Sequence, residues 1–293
     1  MMQETNKLYI RTCDTQFPQK LKNIHRVPQK LYVRGALPDP KLPSVAIVGA
    51  RMCSSYGKYQ AYRFAAELAR CGVQIISGLA LGIDSMAHEG ALSVSGGRTF
   101  GILGCGIDTV YPRQNRRLYQ LVEQNGGLIS EFPEHTPPKA NHFPQRNRLI
   151  SALADIVLVI EAKEKSGSLI TVECALEQGR SVYALPGRVG DALSQGCNRL
   201  IAQGAGIACS PQMLLEELQI ERNRAGDMIT ETPAQPVNDL EVVYRCLDFE
   251  PRSVKQIQEL CGIPVLKLMQ LLLELELKGL AKEVMKSYYV KKN

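Results

Sequence analysis

The chain has 293 residues, 45% of them apolar, and a formal net charge of +6, which leaves room for a large core plus a small second domain and suits a polyanion partner without demanding one. Nine cysteines are scattered in odd number with no C-x-x-C spacing. That argues against a zinc module or a disulfide framework and fits reduced thiols in a cytoplasmic protein. No signal peptide opens the sequence and no run approaches the ~18 apolar residues of a membrane helix, so no membrane association is expected.

In chain order, residues 1–43 are polar and punctuated by proline, with one expected strand at Lys30–Arg34, and read as an arm packed on the core. Residues 44–218 alternate apolar runs with helical patterns. The expected strands are Val45–Val48, Gln74–Ser77, Thr99–Leu103, Leu128–Ser130, Ile156–Ile160 and Val182–Ala184. Between them fall expected helices at Tyr59–Arg70, Ser85–Ser93, Arg113–Gln124, Gln145–Leu153 and Leu169–Gln178. Continuous apolar strands alternating with helices predict an α/β fold, a parallel sheet covered on both faces. Residues 219–237 lack periodicity and read as a linker. In 238–293 the helices Leu240–Leu247, Val254–Cys261 and Pro264–Lys278 precede a hairpin, Leu280–Val284 with Ser287–Lys291, the order of a small winged-helix domain. By count, 1–218 carries about +6, 219–237 about −1 and the tail about +1, so attraction for a polyanion resides in the large domain.

In a parallel α/β sheet, ligands gather at the carboxyl ends of the strands. The loop after the first expected core strand, GARMCSSYG, is not G-x-G-x-x-G, and the second strand ends in Ser77 and Gly78 without an acidic residue to hold a ribose. NAD and FAD are therefore not expected, nor any other cofactor or metal. Arg51 is placed to hold a phosphate instead. Gly78, in SGLALGIDSMAH, lets backbone approach a ligand or another loop. Asp84 reads as a helix cap or loop brace, and His88 as a structural group. A third glycine-rich loop, GCGIDTVYPR, delivers Arg113 to the same edge.

The richest stretch is 141–171. Phe143 precedes Pro144, and Arg146, Asn147 and Arg148 follow in the first turn of a helix. After the next strand, Lys165, Ser166, Gly167 and Ser168 lead into another helix. A helix start offers free N–H groups and partial positive charge, so two of them beside cations and an aromatic suggest a nucleotide or a nucleic-acid strand. The serine loop is an anion cradle without the G-K-[ST] of a P-loop. Arg146 and Arg148 cannot share one helix face; at least one of them is expected to bind phosphate, with room for one of the pair to brace the loops instead.

Together GARMCSSYG, SGLALGIDSMAH, LGCGIDTVYP, FPQRNRLISALA, KSGSLITVECALEQGR and GCNRLIAQGA resemble the DprA (Smf) family of DNA-processing proteins, in order from about residue 16 to 218. The resemblance implies an extended Rossmann-like core that binds single-stranded DNA, a homodimer, and delivery of the strand to the RecA recombinase during natural transformation. It implies a binding pocket at Arg51, Lys139, Phe143, Arg146, Asn147, Arg148, Lys165 and Ser166–Ser168. Many members carry an N-terminal sterile-alpha-motif-like or helix-hairpin-helix-like module, which is not expected in residues 1–43 of this sequence; many carry a winged-helix tail, which 238–293 matches. Two alternatives are a nucleoside-monophosphate hydrolase using Glu173 or Asp84 and a nucleotide-sensing module. The first lacks a clear acid/base pair.

The tail's third helix holds Glu274 and Glu276 with a leucine excess, and its useful cations, Lys286, Lys291 and Lys292, lie in or after the wing. It is expected to contact protein rather than act as the principal DNA reader.

Overall fold

The structure, a computed structural model, describes residues 7–220, 239–248, 251–285 and 287–291. Most of the expected linker lies outside them, as do Lys286 and Lys292. The chain divides into two compact units, residues 1–222 and 223–293.

The first unit opens with β1 (Lys7–Arg11), α1 (Gln19–Lys22) and β2 (Lys30–Gly35). Alternation then begins: β3 (Ser44–Val48), α2 (Ser55–Arg70), β4 (Gln74–Ser77), α3 (Ile83–Leu92), β5 (Thr99–Leu103). It continues through α4 (Arg116–Gln124), β6 (Gly126–Ser130), α5 (His142–Leu153), β7 (Ile156–Val159) and α6 (Ser168–Glu177). The unit closes with β8 (Ser181–Ala184), α7 (Gln195–Ala202), β9 (Gly206–Ile207) and α8 (Pro211–Glu217). All nine strands form one sheet in the order β1-β2-β6-β5-β4-β3-β7-β8-β9. From β6 to β9 every pairing is parallel, whereas β2 runs antiparallel to β6 and β1 to β2.

The apolar runs are continuous because both faces of the sheet are covered. Val45 and Ile47 of β3 pack with Phe64 and Leu68 of α2 on one face. Ala46 and Val48 turn to the other, with Leu149 and Leu153 of α5 and Val172 of α6. The arm joins the sheet itself: Ile10, Leu31 and Val33 bury into the second of these cores. Strands β1 and β9 and helices α1, α7 and α8 have no counterpart among the expected elements. They are short, and half of each arm strand faces outward, so an apolar run never forms.

Helices α2 and α5 start about a turn earlier than periodicity predicts. α2 begins at Ser55 because the Ser54 hydroxyl accepts the Gly57 N–H at 3.0 Å. α5 begins at His142, leaving Pro144 in the first turn, where a missing N–H costs nothing. The single helix expected over Arg113–Gln124 breaks into a 3₁₀ turn, Arg113–Asn115, and α4. At the break Asn115 turns inward and donates to the Leu79 carbonyl at 2.9 Å.

The second unit contains α9 (Asp239–Cys246), β10 (Arg252–Ser253), α10 (Val254–Cys261), α11 (Val265–Leu277), β11 (Ala281–Met285) and β12 (Tyr288–Lys291). Its three strands order as β10-β12-β11, all antiparallel. Ser253 and Gln256 form a reciprocal capping box on α10. Val243, Ile257, Leu268, Leu272, Leu275 and Tyr289 make its own core. Helices followed by a wing match the expected winged-helix domain.

Candidate nucleic-acid interface

A cavity of about 650 Å³ opens at the carboxyl edge of the sheet. Loops after β3, β4 and β7 and the start of α5 build it, as strand-end geometry requires. Of the residues expected from sequence, Arg51, Phe143, Arg146, Asn147, Lys165, Ser166, Gly167 and Ser168 line it.

Phe143 is half-buried and carries partners on its ring. The Arg51 guanidinium lies 5.2 Å from its centroid, and the Tyr111 ring 5.5 Å away at 34°. Arg51 is itself exposed and has no carboxylate partner among the described residues. It presents a cation held by an aromatic at the cavity mouth.

Behind this surface the two helix starts are tied together. The Asn147 amide donates to the Gly167 carbonyl at 3.3 Å. Ser166 and Ser168 share a hydroxyl–hydroxyl hydrogen bond of 2.8 Å ahead of α6. Exposed Lys163 and Lys165 flank that loop. Small hydroxyl residues, a helix start and two lysines make a setting for an anion.

Arg146 takes the bracing role. It is only 3% exposed, and Nη1 donates to the carbonyls of Gly78, at 2.8 Å, and Ile102. From the other side Asp84 accepts the N–H groups of Gly78, at 3.2 Å, and Ala80, at 3.4 Å. Burial pushes the Asp84 carboxyl up and the Arg146 guanidinium down, and each opposes the other's shift. Gly78 is required for contact with Arg146 rather than with a ligand: a Cβ there would stand 2.4 Å from Nη1.

Besides Gly78, three expected ligands lie off the cavity wall. Arg148 is ion-paired with Glu131, both side chains being 15% exposed. Burial raises the Glu131 carboxyl and Arg148 offsets that shift, so the expectation of phosphate binding at Arg148 meets a cation already committed to a half-buried carboxylate. Arg113 sits exposed on the 3₁₀ turn. Lys139 is exposed between Pro138 and Ala140, which do line the cavity.

The start of α2 holds an anion of its own. Glu161, directly after β7, is 5% exposed and accepts the Ser54 N–H at 2.8 Å and the Ser54 hydroxyl. A Cβ on Gly57 would collide with that carboxylate at 2.4 Å. The first strand–helix loop, where many α/β proteins place a phosphate, is therefore filled by an internal carboxylate. This leaves the Arg51 side chain, rather than the helix start, to face the cavity.

A family model described as DNA recombination-mediator protein A matches residues 8–219, and one for the DprA winged helix domain matches 230–284. The chain belongs to the DprA family. It is 42% identical to Protein Smf of Escherichia coli (strain K12) over 269 residues, 90% of this chain and 72% of that protein. It is 43% identical to DNA processing protein DprA of Bacillus subtilis (strain 168) over 209 residues, 71% and 70%. Among solved structures, DprA of Streptococcus pneumoniae superposes with a TM-score of 0.69 at 40% identity, covering 75% of this chain and 76% of that one. DprA of Helicobacter pylori, studied for its single-stranded DNA binding mode, superposes at 0.65 with 32% identity, covering 74% and 97%.

Sequence reasoning missed Lys163 and Tyr111 among the residues that line this cavity. Lys163 could have been found from its place two residues before Lys165 in the same loop. Tyr111 reaches Phe143 only through the fold. Glu161 also escaped notice, because a carboxylate at the end of an apolar run gives no sign of facing a helix start. His88 is structural: buried, it donates from Nδ1 to Thr99 at 2.7 Å, since the Thr99 hydroxyl is itself spent on the Ile75 carbonyl.

Proposed function

We propose that the large unit binds single-stranded DNA without strong sequence preference, through Arg51, Phe143, Lys139, Lys163, Lys165 and the Ser166–Ser168 loop. Arg146, Asn147 and Gly78 position that surface. The observation that carries the reading is the Arg51–Phe143 stack at the mouth of a cavity flanked by two exposed lysines and a helix start. Cations take backbone phosphates and an aromatic face takes a base of any identity, which is the chemistry of single-strand binding. The H. pylori relative, described by its single-stranded DNA binding mode, supports the same ligand.

In this reading the protein acts in the cytoplasm as a homodimer that protects incoming DNA and hands it to RecA, as the family's description as a recombination mediator suggests. It works as a binding protein and not an enzyme. Asp84, the carboxylate in the cavity, is occupied by two backbone N–H groups, and Glu173 is exposed away from the cavity lining. No acid/base pair is assembled there for nucleotide hydrolysis. The test is retention of labelled oligo-dT as a function of salt, beside release of base from nucleoside monophosphates. Affinity falling steeply with salt, with no base released, is the expected result. Base release with salt-independent retention would refute the reading.

A further inference from the structure

The β1–β2 hairpin carries a second surface of the same chemistry, apart from the cavity. Its register pairs Tyr9 with Tyr32 and Arg11 with Lys30. Alternate residues of a strand share a face. Ile10, Leu31 and Val33 point into the core, so Tyr9, Arg11, Lys30, Tyr32 and Arg34 share the opposite face. Tyr9 is 40% exposed and meets Tyr32 edge-on at 5.4 Å. Lys30 Nζ stands 5.6 Å and the Arg11 guanidinium 5.8 Å from the Tyr9 centroid.

The charges on this face are unequal in availability. Arg34 is paired with Glu123 at 3.1 Å. Asp14 accepts the backbone N–H of Arg11 at 2.7 Å. Arg11 and Lys30, both exposed, have no ion-pair partner among the described residues. Edge strands commonly carry cations to discourage strand pairing, which accounts for Arg11 and Lys30; Tyr32 packs against the core that Leu103 and Leu128 share, which leaves the exposed Tyr9 ring without a structural role.

Orientation joins this face to the cavity edge. Because β2 runs antiparallel to β6, with Tyr32 opposite Ser130, Lys30 and Arg11 lie toward the carboxyl end of the parallel strands. Phe143 packs against Gly104, just past β5. Three strand spacings separate β1 from β5 within the sheet, roughly 14 Å, and because α5 packs on the face that Ile10, Leu31 and Val33 bury, a strand reaching from Phe143 to Tyr9 also rounds the carboxyl edge of the sheet.

We propose that the exposed face of the β1–β2 hairpin, with Tyr9 as stacking platform and Arg11 and Lys30 as phosphate ligands, is a second contact for single-stranded DNA that lengthens the bound segment beyond the cavity. This rests on the reading that the cavity holds such a strand. A single-stranded nucleic acid fits the face because it offers phosphates and unpaired bases together.

The test uses the full chain and two oligo-dT lengths, about 5 and about 20 nucleotides, bracketing the span of a single-strand site. Tyr9→Ala and the double variant Arg11→Ser, Lys30→Ser should each weaken the longer oligonucleotide about tenfold and leave the shorter unchanged. The double variant should also reduce the salt slope for the longer one by about 1.4. Tyr9→Phe, which keeps ring and fold, should bind as the parent does. Crosslinks from 5-iododeoxyuridine in the longer oligonucleotide should map to Tyr9. Unchanged affinity and slope in the hairpin variants, or crosslinks confined to the cavity, overturn the inference. Phe143→Ala reports on the cavity separately: if it leaves the shorter oligonucleotide bound as before, the cavity reading fails while the hairpin result remains readable.

Discussion

Arg51 and Arg146 converge on one cavity and have opposite duties. Arg51 is exposed and stacked on Phe143, so Arg51→Ala should leave the fold intact, weaken oligo-dT binding and flatten the salt slope by roughly one unit. An unchanged slope in a salt titration would remove it from the phosphate ligands. Arg146 is buried on two carbonyls opposite Asp84. Arg146→Ala should cost stability on the order of 1–3 kcal/mol, because it removes a buried donor from the Gly78 and Ile102 carbonyls, read as a fall in the denaturation midpoint. His88 offers a separate check at this scale. Burial, aided by the nearby Arg146 charge, holds its pKa down to about 3, against an ordinary value of 6.5. The unfolded chain therefore takes up a proton below about pH 6.5 that the folded chain refuses until about pH 3. Stability from this group is lost as pH falls through that window, by roughly 1.4 kcal/mol per pH unit. Melting curves between pH 7 and 5 should show a shallower loss in His88→Asn.

Among the elements that frame the site, α2 starts on a device its periodicity does not reveal. α2 is closed by Ser54 and by Glu161 from a neighbouring strand end. Glu161→Ala should lower stability by about 1–3 kcal/mol in urea denaturation, since it removes the acceptor for buried donors at Ser54. Oligo-dT affinity of the folded protein should be kept; a selective loss of affinity would mean that Glu161 serves the ligand. In α11 the leucine excess divides cleanly. Leu268, Leu272 and Leu275 are buried in the domain core, whereas Leu266, Leu273 and Leu277 are 85%, 56% and 81% exposed. Glu274 is paired with Lys278 at 2.7 Å. A helix that presents leucine and paired glutamate to solvent is poorly suited to lie along phosphates.

At the scale of the molecule, two units with separate cores imply separable activities. A fragment of residues 1–222 should keep most of the affinity of the full chain for oligo-dT. The isolated fragment 223–293 should bind single-stranded or duplex DNA more weakly than ~10⁻⁵ M near physiological salt. Titration of the labelled fragments decides both points. Sub-micromolar, sequence-dependent binding by the smaller one would overturn this division of labour.

The alternation of strands and helices, the parallel sheet, the winged-helix tail and the family were all legible in the sequence. Burial on both sheet faces forces continuous apolar runs, and long loop motifs at strand ends survive as recognisable strings. So were Arg51, Phe143 and the serine loop as candidate ligands, because loop position at a strand end is set by chain order. The tertiary structure alone decided which cations are available. Arg146 and Arg148 read alike in the string QRNRLI, yet one is buried on Gly78 and Ile102 and the other is paired with Glu131. Glu161 facing Ser54, and Tyr9 facing Tyr32, were equally beyond reach. Each depends on partners that folding brings from distant positions, and a charge's availability is fixed by its partners rather than by its residue type.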